Sequence, residues 1–472
     1  MKRLAVVLLL SVSFVASAGT EPLTLKELIA RARANDHRVK EAQAQLRWFR
    51  SKYDEAKWAW FPRVDSYAMI AGPMPEARND GLGGPPTTKA SLMYDLDLGT
   101  PGVMLRAGAE AVLPLYTFGK LSALEEAGKK GVEAGLALEQ RAQDEAELQV
   151  SQAYLGYCLA KVSNDVVTDT LKRIDDARVI LERLRKEQSE QVSQLDVYKV
   201  DYYRAQISAQ QAAAKSGANF AMAAIRLLIA APPEEHFEVL VVPFDEPSGA
   251  TLPVEHYVAA ATGARPELKA IAAGIGAREQ EVLIRERMFY PDFGLAGFVR
   301  WAYTSSATRQ LSPFAYDPYN DLSGGVGLVM QYRWDFPQKS VALEQARAEL
   351  EKMHHQQALI IGGVRLEIEK AWNDTNAAVS RAQTLAGAEK NARRWALAAF
   401  TAFDLGTGDT RELVDAFTAL ATASATRAQA MYDVQMGLRS LARAVGQPVA
   451  LTEPEPPLPA PTLKPAGLVS PR

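Results

Sequence analysis

Between Leu343 and Thr401, apolar residues recur at spacings of three and four, as in Ile360, Val364, Ile368 and Ala371. That period gathers them on one face of a helix. The residues between them are mostly Ala, Glu, Gln, Arg, Lys and Leu, all strong helix formers. The stretch Gly119 to Leu228 has the same character, with Leu171, Ile174, Arg178, Leu181 and Leu184 along one stripe. Proline placement agrees: none occurs between Pro114 and Pro232, nor between Pro337 and Pro448, and an interior proline would cost a helix about 3 kcal/mol. A helix from about Ser340 to Phe403 would be ~95 Å long at 1.5 Å per residue. It could not bury its own stripe and would need lateral partners. Periodicity alone leaves a helical bundle or a coiled coil equally open.

Each long stretch carries one interruption. In the first it is Lys186 to Asp196; in the second it is Phe403 to Glu412. Gly406 and Gly408 suit a helix end followed by a turn. Asp409 or Thr410 suits the next N-cap with Glu412 behind it, and Ser193 with Asp196 repeats that logic. Each stretch is therefore predicted to fold back as a helical hairpin.

Elsewhere the period changes from three-and-four to two. In Val103 to Leu115, Leu105, Ala107, Ala109, Ala111 and Leu113 alternate with Arg106, Gly108 and Glu110. In Val326 to Asp335, Val326, Leu328, Met330, Tyr332 and Trp334 alternate with Gln331, Arg333 and Asp335. Segments of ~10 residues, apolar on one face and ending in aromatics, match transmembrane barrel strands. A half-buried sheet in a soluble domain has the same alternation. Four such strands cannot close a barrel alone, so several subunits would have to contribute.

The series occurs twice. A helix (about Leu25 to Trp60, and about Glu267 to Phe289) ends in Phe61-Pro62 or Tyr290-Pro291, and an alternating segment follows. A loop rich in Gly, Pro and Asn, a second alternating segment and a hairpin complete each copy. Phe118 and Phe336, which close the two strand pairs, are separated by the same interval as the tip leucines Leu195 and Leu413. The expected organisation is a signal peptide (1–18), a first repeat (19–230) with strands at about 62–72 and 102–115, and a linker or equatorial segment (231–263). A second repeat (264–447) has strands at about 291–303 and 323–335, and a Pro-rich tail (448–472) ends the chain.

Composition narrows the function. The 472 residues carry 53 Lys+Arg against 56 Asp+Glu, a net charge of −3, so no basic excess points to nucleic acid. The single cysteine, Cys158, excludes a disulfide framework and a thiolate zinc cluster. Met1-Lys2-Arg3, the apolar run Leu4 to Val15 and Ala16-Ser17-Ala18 form an export signal too short to span a membrane.

These features together resemble the outer-membrane efflux protein family, the TolC-like outer-membrane factors. The resemblance rests on Leu23-Thr-Leu-Lys-Glu-Leu-Ile29, Phe61-Pro62, Pro114-Leu-Tyr-Thr-Phe-Gly-Lys120 and, above all, Gly406-Thr-Gly-Asp-Thr-Arg-Glu-Leu-Val-Asp-Ala416. It implies a mainly α fold with transmembrane β: a trimer whose four strands per subunit build a 12-stranded β-barrel, continued by a long periplasmic α-helical barrel. It implies a passive exit duct of a tripartite efflux or type I secretion system. The partners would be a homotrimer, a periplasmic adaptor, an inner-membrane pump and outer-membrane lipid, with no cofactor and no catalysis.

Residue by residue, the resemblance places Glu412 and Asp415 at the periplasmic aperture. They sit three apart on one helix face, and three subunits would ring the constriction with carboxylates. Acids near a helix N-terminus also simply complement its dipole. Asp196 matches an acid of the family's closing latch, but its partner positions are Phe403 and Gly408, so the latch cannot take that form here. Val192, Leu195, Leu405, Gly406 and Thr407 are the candidate adaptor contacts. A periplasmic adaptor or coiled-coil scaffold without a pore is the alternative, although adaptors usually carry one hairpin rather than two.

Other motifs carry less. His354 and His355 are adjacent on a helix and point about 100° apart, a poor chelating pair. Trp58, Trp60 and Phe61 suit either an interfacial aromatic belt or core packing.

Overall fold

The computed structural model describes residues 22–79, 87–88, 99–186, 193–244, 246–247 and 249–448. The expected signal peptide, Val192 and the tail from residue 449 onward lie outside them. The chain divides into two compact units. One, comprising Gln45–Leu136 and Ala270–Ala358, holds the β-sheet; the other comprises the rest.

Eight helices are described: α1 (Leu25–Asn35), α2 (His37–Lys57), α3 (Lys120–Lys186), α4 (Gln194–Leu228), α5 (Val254–Ala264), α6 (Pro266–Arg287), α7 (Phe336–Asp404) and α8 (Thr410–Val445). At 67 and 69 residues, α3 and α7 are each ~100 Å long. Helix α7 begins earlier than the expected Ser340, because Pro337 sits in its first turn. There the missing N–H costs nothing and the fixed φ suits the helix.

The helix expected over Leu25 to Trp60 is two. Asp36 breaks it, leaving the helical region at φ −53° and ψ 131°. Its carboxylate accepts the Arg38 N–H (2.8 Å) and pairs with the Arg38 guanidinium, capping α2. The segment expected as linker contains α5. Its non-helical part is fastened by the Tyr154 hydroxyl donating to Leu240 O (2.9 Å) and Trp372 Nε1 donating to Leu252 O (2.8 Å).

In the helical unit the stripes meet one another. Val364, Ile368 and Ala371 of α7 pack with Leu441 of α8 and with Tyr257 and Ala261 of α5. Leu28 and Ala32 of α1 pack with Val150 and Tyr154 of α3 and Ile225 of α4. Burying each large aliphatic side chain contributes about 1.5–3 kcal/mol.

The sheet has four long antiparallel strands, β1 (Arg63–Met74), β4 (Gly102–Tyr116), β5 (Asp292–Thr304) and β6 (Asp321–Gln331), in the order β1-β4-β5-β6. Short β2 (Ala77–Arg78) pairs with β3 (Thr87–Thr88). The last strand was expected to run to about 335 but stops at Gln331, opposite Asp292. Beyond Asp292 the partner chain turns into Pro291, which has no N–H to give.

Register fixes the two faces. Val64, Ala111, Gly297 and Val326 lie in one row, and Leu113, Leu295 and Leu328 in another. This face is apolar and open: Ile70, Leu322, Val326 and Leu328 are each at least 74% exposed. The opposite face carries Asp65, Arg106, Glu110, Arg300, Ser323 and Gln331, with Arg300 bonded to Glu110 at 2.7 Å. An exposed apolar face opposite a hydrated polar one is the pattern of a barrel strand facing lipid outside and water within. The 13 residues of β5, at ~3.3 Å each and tilted about 45°, span ~30 Å, enough for a bilayer core. Among the described residues, β1 and β6 have no partner at the outer edges of the sheet, and hydrocarbon tolerates no open edge. A ring built from several such sheets would close those edges.

The second repeat joins the first at the strands' helix-side end. Phe118 takes φ 52° and Gly119 φ 79°, a left-handed pair that turns β4 into α3. A Cβ on Gly119 would lie 2.4 Å from Arg287 Nη1, which donates to Gly119 O at 2.6 Å. The strain at Phe118, roughly 1–2 kcal/mol, is held by stacking on Tyr290 at 4.9 Å and by Lys120 bonding Tyr290 O (2.9 Å) and Asp292 (2.8 Å). The Tyr-Thr-Phe-Gly-Lys motif is a clasp between repeats.

Candidate functional site: the helical tips

The α7–α8 turn is built by its glycines. Gly406 takes φ +73°, and the N–H groups of Thr407 and Gly408 both donate to Ala402 O, at 3.0 and 2.9 Å. A Cβ on Gly408 would stand 2.7 Å from Phe403 N, so the position demands glycine. Asp409 then caps α8, its carboxylate accepting the Arg411 N–H at 3.1 Å. Leu405 projects from the apex 73% exposed, while Thr410 beneath it is buried. Gly406 and Thr407 complete the apex.

At the start of α4, Ser193 and Asp196 form a capping box. The Ser193 N–H (2.9 Å) and hydroxyl (2.8 Å) both donate to the Asp196 carboxylate, and Lys199 lies 3.4 Å away. Burial pushes the Asp196 carboxyl upward. The Ser193 hydrogen bonds and the Lys199 charge outweigh it and hold the group below the usual aspartate value. Asp196 is thus occupied within its own helix end. Leu195 beside it is exposed, as are Tyr198 and Tyr202 on the same helix.

The other two acids differ from each other. Asp415 is half-buried and pairs with Arg411 at 3.7 Å, one turn away. Glu412 is exposed and has no ion-pair partner among the described residues. The sequence reading missed Arg411, although its i,i+4 spacing to Asp415 was there to be read. Arg411 offsets one of the two acids in each subunit, so the uncompensated charge is carried by Glu412. Within one chain Asp196 is bonded to Ser193 and Asp415 is paired with Arg411. Among the described residues no group of three or more His, Cys, Asp or Glu side chains is placed to hold a metal ion.

Towards the tips the two hairpins share an apolar cluster. Ile174, Ala177 and Leu181 of α3, Val200 and Ile207 of α4, Ala396, Ala399 and Phe403 of α7, and Leu413, Val414 and Phe417 of α8 form one buried cluster. Phe403 is 2% exposed and lies inside this cluster rather than at a polar contact. The ion pairs nearby, Arg178–Asp201 (2.9 Å) and Arg204–Asp175 (2.6 Å), hold α3 to α4 within the first hairpin. Further along, buried Glu389 of α7 bonds Arg427 and Ser424 of α8 and holds the second hairpin together.

Solved structures share this fold, among them three outer-membrane channels. The outer-membrane channel OprN aligns at 21% identity and TM-score 0.71, covering 89% of both chains. The open-state MtrE outer membrane channel of Neisseria gonorrhoeae aligns at 15% and 0.69, covering 90% of this chain and 89% of that one. The CmeC outer membrane channel of Campylobacter jejuni aligns at 13% and 0.68, covering 91% and 87%. No curated protein sequence matches the chain. The sequence profile described as outer membrane efflux protein matches residues 28–230 and 258–447. No described helix is long and apolar enough to cross a membrane.

Proposed function

The chain belongs to the outer membrane efflux protein family and is an efflux exit duct of the outer membrane with a periplasmic helical part, and from that premise we propose that it opens passively at its helical tips. Members of the family act as trimeric channels with efflux pumps. An adaptor or scaffold without a pore would have no use for a sheet with a bare apolar face. In our reading the duct does no chemistry of its own, and energy comes from an inner-membrane pump joined through a periplasmic adaptor.

The observation that carries the gate is the apolar cluster around Phe403. It is the contact between the two hairpins at the tip, and widening the aperture means prising α7 and α8 from α3 and α4. Glu412, with Asp415 partly offset by Arg411, lines the aperture and draws cations to it. Asp196 holds the end of α4 in shape. Leu195, Leu405, Gly406 and Thr407 form the surface offered to the adaptor. Planar-bilayer conductance of the purified full chain tests the reading. Trimers that form a small, cation-preferring pore support it. A monomer, or a protein that conducts under no condition, refutes it.

A further inference from the structure

The segment between β5 and β6, residues 305–320, lies against one face of the sheet. Met104 and Thr304 are buried at that end, and by register both belong to the polar face with Arg106 and Arg300. At the same height on the apolar face, Trp301, Tyr303 and Leu322 remain exposed. Arg106 Nη2 donates to Pro318 O at 3.4 Å. Thr304 donates its hydroxyl to Tyr319 O (3.2 Å) and its N–H to Asn320 Oδ1 (3.1 Å). The loop is folded over the water-facing side of the strands.

It is also built to keep its shape. The Asp317 carboxylate accepts the N–H groups of Gln310 (2.8 Å), Tyr319 (2.9 Å) and Asn320 (2.9 Å), closing residues 310–317 into a tight loop. The first repeat braces it: Ala77 donates to Ser306 O (3.0 Å), Thr308 to Ala77 O (3.1 Å), and the Asn79 N–H to Thr308 Oγ1 (2.7 Å). The tip of this braced loop carries Leu311, Phe314 and Tyr316, all exposed, Phe314 at 99%. Large apolar groups held rigidly on the hydrated side of a barrel strand are costly to leave in water. Closing the sheet into a ring brings the same tip from two further copies of this chain around one axis.

We propose that the 305–320 loops of three subunits form a second constriction, apolar and at the extracellular mouth, in which each tip is covered by its neighbours' Leu311, Phe314 and Tyr316. An apolar ring of this kind resists water and ions until a substrate parts it. The periplasmic end can then open without the duct becoming a leak inward. The inference rests on ring closure of the sheet and not on the acidic aperture.

Cross-linking of the full-length trimer in liposomes tests it. Phe314→Cys, treated with a short bis-maleimide, should join subunits; Tyr303→Cys, on the lipid face, should not. The native Cys158 is buried. In protein opened at the tips by Phe403→Ala, replacing Leu311, Phe314 and Tyr316 by Ser should raise conductance about twofold or more if the mouth limits flow. The proposal is overturned if intact Phe314→Cys trimers react fully with a monofunctional maleimide yet never cross-link, or if the triple substitution leaves conductance unchanged. A chain that sizes as a monomer overturns ring closure, and the constriction with it.

Discussion

Phe403→Ala is the perturbation that separates an apolar clasp from a polar latch. The ring is 2% exposed and packed among Ile174, Leu181, Leu413 and Phe417. Truncating a buried Phe to Ala costs about 3–5 kcal/mol through lost transfer energy and the cavity left behind. The cluster spans both hairpins, so part of that loss falls on the closed arrangement alone. If half does, about 2 kcal/mol, the closed-to-open equilibrium shifts ~30-fold. Single-channel recording reads this as a rise in open probability. The rise should survive a change from low to high salt once bulk conductivity is allowed for, because burial of apolar surface is not screened as exposed charges are. Phe403→Tyr keeps the volume but brings a hydroxyl into a buried site and should fall between. The reasoning is refuted if Phe403→Ala loses stability in denaturant by the expected amount while open probability stays at the wild-type value. It is refuted equally if opening follows salt as a charge latch would.

Glu412→Gln should lower cation selectivity and weaken block by divalent cations, and Asp415→Asn should do less, because Arg411 already offsets Asp415; reversal potentials in a salt gradient measure both. The Asp196 carboxyl is depressed in the folded state, so its contribution is fully present above the ordinary aspartate pKa and is lost as pH falls through the depressed one. Only acid strong enough to reach below the ordinary aspartate range should therefore fray the start of α4, seen as faster amide exchange over 194–200, whereas Asp196→Asn should show that exchange at neutral pH. Val326→Lys places a charge at the centre of the lipid-facing row, at about 2–4 kcal/mol per site, and should abolish heat-stable trimers on gels. Val329→Lys, on the lumen face of the same strand, should leave the trimers intact. Gly408→Ala should cost the tip turn ~1–3 kcal/mol because its Cβ meets Phe403 N at 2.7 Å, measured by thermal unfolding.

The long helices and the four strands were legible because each rests on a period the sequence displays. Ile360, Val364, Ile368 and Ala371 read as one stripe and pack as one, and the alternation of Val103 to Leu115 assigns the same two faces that the ladder does. Three things could not be read that way. The break at Asp36 depends on a carboxylate turning back onto the next helix rather than outward, and helical periodicity continues past it. The family resemblance sets Phe403 at a latch position, whereas its burial depends on residues more than 200 positions away in the chain, such as Ile174 and Leu181. The 305–320 loop looked like any Gly/Pro/Asn-rich connection until the burial of Met104 and Thr304 showed which face it covers. Local chemistry is what a sequence states most directly, so Ser193–Asp196 and Gly406–Asp409 were readable as cap and turn. The choice between a charged and an apolar gate lies in contacts between hairpins. At this tip those contacts favour the apolar one, because Asp196 and Asp415 are engaged within their own helices while Phe403 and Phe417 lie in the cluster shared by the two hairpins.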